Sequence, residues 1–377
     1  MYDPMLTYEQ NYVAGPQARV QKSGHLPHIR YLDAPRFEFL GVPLHLPLGI
    51  PAGPLLNASY VNAALNAGFC LPVYKTVRAL EWPSHPKPNV LEIESQWPSL
   101  VQQLQPQKVV GREIDSLQVP FRAPLSISNS FGVPSQNPEI WKQDFAKCTP
   151  QVGSQVVLSF QGTRRKEANT FDAFVEDTCG AALWAAQSAR NLNQKFLEVN
   201  LSCPNEKGEP IFKNIPKALA LLNALKQTLS QFSELKLIAK IGVLNDAETL
   251  AFVRGGVGIV DAIAAINTVP ATIISPSGEI ALGSGDSVGG VCGALIFEEG
   301  MQMMRRLVAA RRASGLSSRE ISLIAVGGVM GVREFALYTA VGADLVQAAT
   351  GAMWNLLLAQ EIARSAGLHF EEVVNEK

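Results

Sequence analysis

A chain of 377 residues, 47% hydrophobic and 17% charged, can bury a core large enough for one main domain of (β/α)8 size. It has no apolar run near the roughly 18 residues needed to cross a bilayer, so membrane insertion is not expected. Its 32 basic and 33 acidic residues leave a formal charge of −1, too little positive field to hold a polyanion, which argues against a nucleic-acid partner.

The amino-terminal stretch MYDPMLTYEQNYVAG lacks the basic start, apolar core and small-residue cleavage site of a secretory signal, so the expected compartment is the cytoplasm. Residues 1–45, with scattered Gly, Pro and His, predict an arm laid on the main domain. Short apolar, β-branched runs then recur eight times, at 46–50, 71–75, 155–160, 195–201, 236–241, 259–267, 321–328 and 343–350. Between most of them lie helical periodicities, at 168–191, 216–230, 245–254, 297–313 and 331–341. Alternation of this kind requires parallel strands joined by crossover helices. Nearly continuous apolar character means strands buried on both faces. The expected fold is therefore α/β, a (β/α)8 TIM barrel spanning 46–365, followed by a tail at 366–377. The segment 78–135, rich in Pro and Gln and carrying a strand-like run at 124–128, is too long for a simple loop. It is expected to form an inserted lid over the barrel mouth.

Reacting groups in such barrels sit at the carboxyl ends of the strands and on the loops that follow. Unusual residues cluster there: Ala52 and Gly53 after the first run, Lys75 ending the second, and Asn200 and Cys203 after the fourth. Lys240 ends the fifth, Asn267 the sixth, Gly327 and Gly328 the seventh, and Thr350 the eighth. Taken singly, a strand-end lysine is usually a solvated boundary residue, an asparagine caps a turn, and a cysteine is a small buried hydrophobe. The run EVNLSCPNEKG (198–208) is different, because it packs two amides, a hydroxyl, a thiol and a proline into one strand-to-loop junction. Asn200 and Asn205 can each donate and accept, which suits a planar imide or amide ligand. The proline after Cys203 keeps the cysteine extended, and a thiol only modestly perturbed can act as a base near neutral pH. Gly289-Gly290, Gly327-Gly328 and Thr350-Gly351 form a second group, where late loops of such barrels cradle a phosphate. The five cysteines, Cys70, Cys148, Cys179, Cys203 and Cys292, form no CxxC pair and the five histidines are scattered. Neither a disulfide framework nor a metal site is expected.

These residues resemble dihydroorotate dehydrogenase, and its class 1 branch in particular. The carrying motif is NLSCPN (200–205) with Gly208 and Pro210, in which cysteine stands where the membrane-associated class 2 branch has serine. PAGP (51–54), YKT (74–76), SHPKP (84–88), NSFGVP (129–134), AKIG (239–242), INT (266–268), GGVCG (289–293), VGG (326–328) and QAATG (347–351) occur in the family's order. The resemblance implies an FMN over the mouth, its ring near Ala52, Gly53, Lys75, Thr76, Asn200 and Lys240 and its phosphate around Gly290, Gly328, Ala349 and Thr350. Dihydroorotate, oxidised to orotate in pyrimidine biosynthesis, would be held by Lys75, Asn129, Asn200, Asn205, Asn267 and Thr268, with backbone donors from Phe131, Gly132 and Val133. Cys203, with Lys75 beside it at the catalytic centre, would take the C5 proton while hydride leaves C6 for flavin N5. Lys240 would place positive charge near the flavin N1 edge. The implied assembly is a homodimer.

Several positions depart from the family pattern. Ser135 stands where asparagine is frequent, Cys292 interrupts a glycine-rich loop, Pro51 precedes the first glycine motif, and 89–125 has no counterpart. A related FMN barrel acting on another cyclic amide or uracil ring is the alternative. A dihydrouridine synthase needs a basic face and further Arg and His, but AKIG is followed here by VLND. Dihydropyrimidine dehydrogenase shares NLSCP but continues with histidine rather than Asn205, and its iron–sulfur cysteines are missing. A non-enzymatic phosphate-binding barrel scaffold would have no need of Lys75, Asn200 and Cys203 together. The motifs do not specify the electron acceptor, whether fumarate, NAD through a partner subunit, or a quinone.

Overall fold

The computed structural model describes residues 1–16, 25–94, 107–114, 125–165, 170–202 and 210–373. Its centre is a closed barrel of eight strands: β1 (Leu48–Ile50), β2 (Leu71–Val77), β3 (Val157–Phe160), β4 (Phe196–Asn200), β5 (Lys236–Ile241), β6 (Ala262–Ala265), β7 (Ser322–Val326) and β8 (Leu345–Gln347). Each strand pairs in parallel with the next in sequence, and β8 closes on β1. All residues of β1, β2, β3, β6, β7 and β8 are buried, as a sheet covered on both faces requires.

Eight helices surround the strands: α1 (Ala58–Asn66), α2 (Pro138–Phe145), α3 (Phe171–Asn191), α4 (Ile215–Thr228), α5 (Asp246–Gly256), α6 (Phe297–Ala313), α7 (Val332–Val341) and α8 (Leu358–Ser365). Their starts are chemically marked. Asn57 accepts from Ser59 N and Tyr60 N at α1, Thr170 accepts from Ala173 N at α3, and Asn245 forms a capping box with Glu248 at α5, which satisfies otherwise unpaired N–H groups. The (β/α)8 architecture is thus the one expected. Six strands are shorter than their apolar stretches suggest, two of them by about half. The run 259–267 narrows to β6, and 343–350 narrows to β8 because a short helix, Thr350–Trp354, already begins at its end.

The lid is larger than the expected insertion. Strands Leu91–Glu94, Gln107–Glu113 and Ser126–Asn129, which follow β2, close into a second, five-stranded barrel with Val269–Ile274 and Val288–Gly293, which follow β6. The two insertions join at a parallel seam with Ala271 opposite Gln107 and an antiparallel one with Gly290 opposite Asn129.

The amino-terminal arm contributes a helix, Tyr8–Ala14, fixed by a Thr7/Gln10 capping box, and a strand, Ile29–Tyr31, which pairs with Phe370–Glu372. A hairpin, Phe37–Phe39 with Val42–Leu44, packs Phe39 against Phe196 at the start of β4. Among the described residues no helix is long and apolar enough to cross a membrane.

Candidate active site

A pocket of about 1210 Å3, open mouth included, lies between the carboxyl ends of the barrel strands and the lid. From β1 and β2 it takes Ala52, Gly53, Lys75 and Thr76, and from β4, β5 and β6 it takes Asn200, Lys240, Asn267 and Thr268. Gly327, Gly328, Ala349 and Thr350 come from the ends of β7 and β8, and Asn129, Phe131 and Val133 from the lid. One rule, strand ends at a single mouth, brings these groups together.

Two expected residues, Gly290 and Gly132, are not among those that line the pocket. Gly290 lies inside the lid strand Val288–Gly293, opposite Asn129 and Pro270, where a Cβ would meet Thr268 Oγ1 at 2.2 Å. The end of that strand, Cys292 and Gly293, lines the pocket in its place. Gly132 packs under the His85 ring, which a Cβ would approach to 2.5 Å. Cys203 and Asn205 lie outside the described residues. Sequence reasoning passed over Tyr2, Ile127, Ser128 and Met353, which also line the pocket, because their chemistry is generic and only the folded arm and lid bring them there.

A chain of polar side chains runs across the mouth. Asn267 Nδ2 donates to Ser202 Oγ at 2.7 Å, and Asn200 Oδ1 accepts from Ser202 N and Oγ at 3.2 and 3.1 Å. Asn200 Nδ2 lies 2.8 Å from the Gln161 amide, whose other end faces the two terminal nitrogens of Arg78 at 3.1 and 2.7 Å. Gln161 is buried at the end of β3, a place the strand-end rule would have flagged. The chain fixes Asn200 and Asn267 before any ligand arrives.

Beneath the pocket, Glu198 and Lys240 sit on neighbouring strands, both almost wholly buried. Burial raises the Glu198 pKa and lowers that of Lys240, and the charge of each opposes the shift of the other. Lys240 therefore places an amine at the floor of the pocket with the Glu198 carboxyl group behind it, an arrangement that suits a ligand on which negative charge develops. At the opposite side, Thr350 is buried and its hydroxyl faces the Cys292 thiol, with no oxygen or nitrogen partner among the described residues. Gly328, at φ 69°, packs directly on the Phe297 backbone, where a Cβ would lie 2.6 Å from Cα and 2.7 Å from N. A buried hydroxyl near left-handed glycine backbone is what an oxyanion cradle needs.

The sequence profile described as dihydroorotate dehydrogenase matches residues 121–365. A dihydroorotate dehydrogenase of Dictyostelium discoideum is 31% identical over 96% of both chains. The chain belongs to the dihydroorotate dehydrogenase family. Its members are oxidoreductases, and this chain is an enzyme of that kind. A dihydroorotate dehydrogenase (quinone) of Kineococcus radiotolerans is 26% identical, covering 88% of this chain and 82% of that one. The catalytic subunit of a dihydroorotate dehydrogenase B (NAD(+)) of Desulforudis audaxviator is also 26% identical, covering 62% and 68%. The crystal structure of the enzyme from Eimeria tenella in complex with ferulenol superposes with a TM-score of 0.68 at 17% identity, covering 97% of this chain and 93% of that one, which establishes the shared fold.

Proposed function

We propose that this chain catalyses the FMN-dependent oxidation of dihydroorotate to orotate, as a class 1-like enzyme with Cys203 as the base. The observation that carries this reading is the convergence of Lys75, Asn129, Asn200, Lys240 and Asn267 in one covered pocket. The amides offer paired donors and acceptors for the imide edges of a pyrimidine ring, and two lysines balance an anion. FMN fits the same pocket. Thr350, Ala349 and Gly328 would hold its phosphate, where the buried Thr350 hydroxyl and the left-handed glycine lie. Ala52, Gly53, Thr76 and Lys240 would hold its ring. When bound, FMN supplies the hydride acceptor that the reaction requires.

The residues of the chain supply the rest. Lys75 and the lid residues Asn129, Phe131 and Val133 orient the substrate and exclude water from it. Cys203 takes the proton from C5, and Asn205 assists substrate binding. Although both residues lie outside the described segment, Ser202, the neighbour of Cys203, is anchored by Asn200 and Asn267, which holds the root of that loop at the mouth. The test is anaerobic bleaching of the bound flavin by dihydroorotate, in wild type and in Cys203→Ala. The expected outcome is rapid bleaching of wild type and a slowing of ~10² or more in the variant, the effect of losing a general base. Equal rates would remove Cys203 from the mechanism, and a wild-type flavin that stays oxidised would remove dihydroorotate as the substrate.

A further inference from the structure

Arg78 follows the pocket residues Lys75 and Thr76 on the chain, is 2% exposed, and does not line the pocket. Its guanidinium donates from Nε to Val133 O at 3.0 Å and from a terminal nitrogen to Gly132 O at 3.4 Å. The other terminal nitrogen donates to Thr163 Oγ1 at 3.0 Å and Gly162 O at 3.2 Å, and the plane stacks over Trp82 at 5.0 Å. One planar fork therefore ties the lid loop to the end of β3, as a lysine could not.

The loop it holds has an unusual backbone. Gly132 and Val133 are both left-handed, with φ of 75° and 52°. For a β-branched residue such as Val133 that is an outlier, which persists only where the surroundings impose it. The surroundings do so on every carbonyl from 130 to 135. Ser130 O accepts from Asn89 Nδ2, Phe131 O from His85 N, Gly132 O and Val133 O from Arg78, Pro134 O from Lys75 Nζ, and Ser135 O from Trp82 N. In a trans peptide the N–H points opposite to the C=O. Holding Phe131 O and Gly132 O toward residues 78–85 thus turns the N–H groups of Gly132 and Val133 away from them. Neither N–H has a partner among the described residues, and Phe131 and Val133 border the pocket. Two successive N–H groups in such a conformation form an anion-receptive concavity, and a cation bonded to the carbonyls polarises the peptides into stronger donors.

We propose that Arg78 is a positioning residue, which clamps the left-handed Gly132–Val133 turn so that its N–H groups receive the carboxylate of the pyrimidine substrate. This role rests on the functional reading above and goes beyond it, because it makes selectivity for an anionic ring substituent depend on a side chain that touches no substrate. The test uses the flavin-loaded wild type, Arg78→Lys and Arg78→Met, and measures by calorimetry the binding of orotate and of its uncharged methyl ester. Orotate is expected to weaken ~10- to 100-fold in both variants, as charge-assisted hydrogen bonds are lost, while the ester, which loses only the support that Arg78 gives Asn200 through Gln161, weakens clearly less and the flavin is retained. If orotate and ester weaken in parallel, or orotate binding is unchanged in Arg78→Lys, the positioning role is wrong. If neither variant retains flavin, Arg78 is structural and the proposal falls. A wild type that fails to bind orotate would sink the functional reading itself, an outcome separate from any seen in the variants.

Discussion

The barrel and the lid are both closed sheets, yet they are assembled in opposite ways. Each barrel strand pairs with the next barrel strand, across a simple βα unit everywhere except β2–β3 and β6–β7, where the lid insertions intervene, and the ring closes when β8 meets β1. The lid joins two insertions that lie far apart in sequence, and its seams form only when Ala271 finds Gln107 and Gly290 finds Asn129. The division of labour follows. Lys75, Asn200, Lys240 and Asn267 come from the ends of barrel strands, while the lid supplies Asn129, Ile127, Ser128 and Cys292 as a wall. In the proposed reading, the chemistry sits on the barrel strand ends and the coverage on the part that needs long-range closure.

The largest effect should come from the barrel floor. Phe196 is fully buried, with its ring 5.5 Å from that of Phe39. Phe196→Ala should therefore cost about 3–5 kcal/mol, lost side-chain burial and a cavity together. Urea unfolding should show the midpoint falling while flavin and activity disappear in the same transition. A midpoint within error of wild type would mean that the hairpin beneath the barrel contributes little.

A smaller, local effect is expected at the lid seam. A Cβ on Gly111 would come within 2.9 Å of both Ile273 Cγ2 and Leu91 Cδ1, so Gly111→Ala overpacks the junction of the two insertions by roughly 1–3 kcal/mol. Hydrogen exchange followed by mass spectrometry should show amides in 107–113 and 269–274 speeding up together, with those of β4 unchanged. Acceleration in β4 as well would mean that lid and barrel open as one unit.

The same contrast explains what the sequence made readable. The eight apolar runs were visible because a strand buried on both faces has no polar positions to interrupt it, and the strand-end rule then located Lys75, Asn200, Lys240 and Asn267. The helix α1 was missed because five of its nine residues are buried, which blurs the apolar stripe that marks a surface helix. The strand Val269–Ile274 alternates, with Val269, Ala271 and Ile273 buried and Pro270, Thr272 and Ile274 less so. It carries a proline and stands outside the eight continuous apolar runs, and one of its two partners, Gln107–Glu113, comes from the other insertion. Arg78 carried no local signal, since its role exists only once residues 130–135 fold back onto it. Gly290 was assigned to the phosphate loop because a glycine pair looks alike in a turn and in a crowded strand.

Thiol chemistry sharpens the comparison at the smallest scale. Cys70, just ahead of β2 in the barrel, is 1% exposed, and burial pushes its pKa up to about 12. Cys292, on the lid strand, borders the pocket, and burial raises its pKa to about 11. A raised thiol pKa keeps the reactive thiolate scarce below that value, so at pH 8 Cys292 should be thiolate in about one molecule in a thousand. Iodoacetamide at pH 8 should therefore label Cys292 slowly, with the rate rising about tenfold per pH unit toward 11 and falling when orotate fills the pocket. Cys70 should stay unlabelled until urea unfolds the barrel. Peptide mass spectrometry reads both sites in one sample. Equal labelling of Cys70 and Cys292 in the folded enzyme would show that the barrel opens as readily as the lid, and that the contrast between local and long-range closure does not govern their motion.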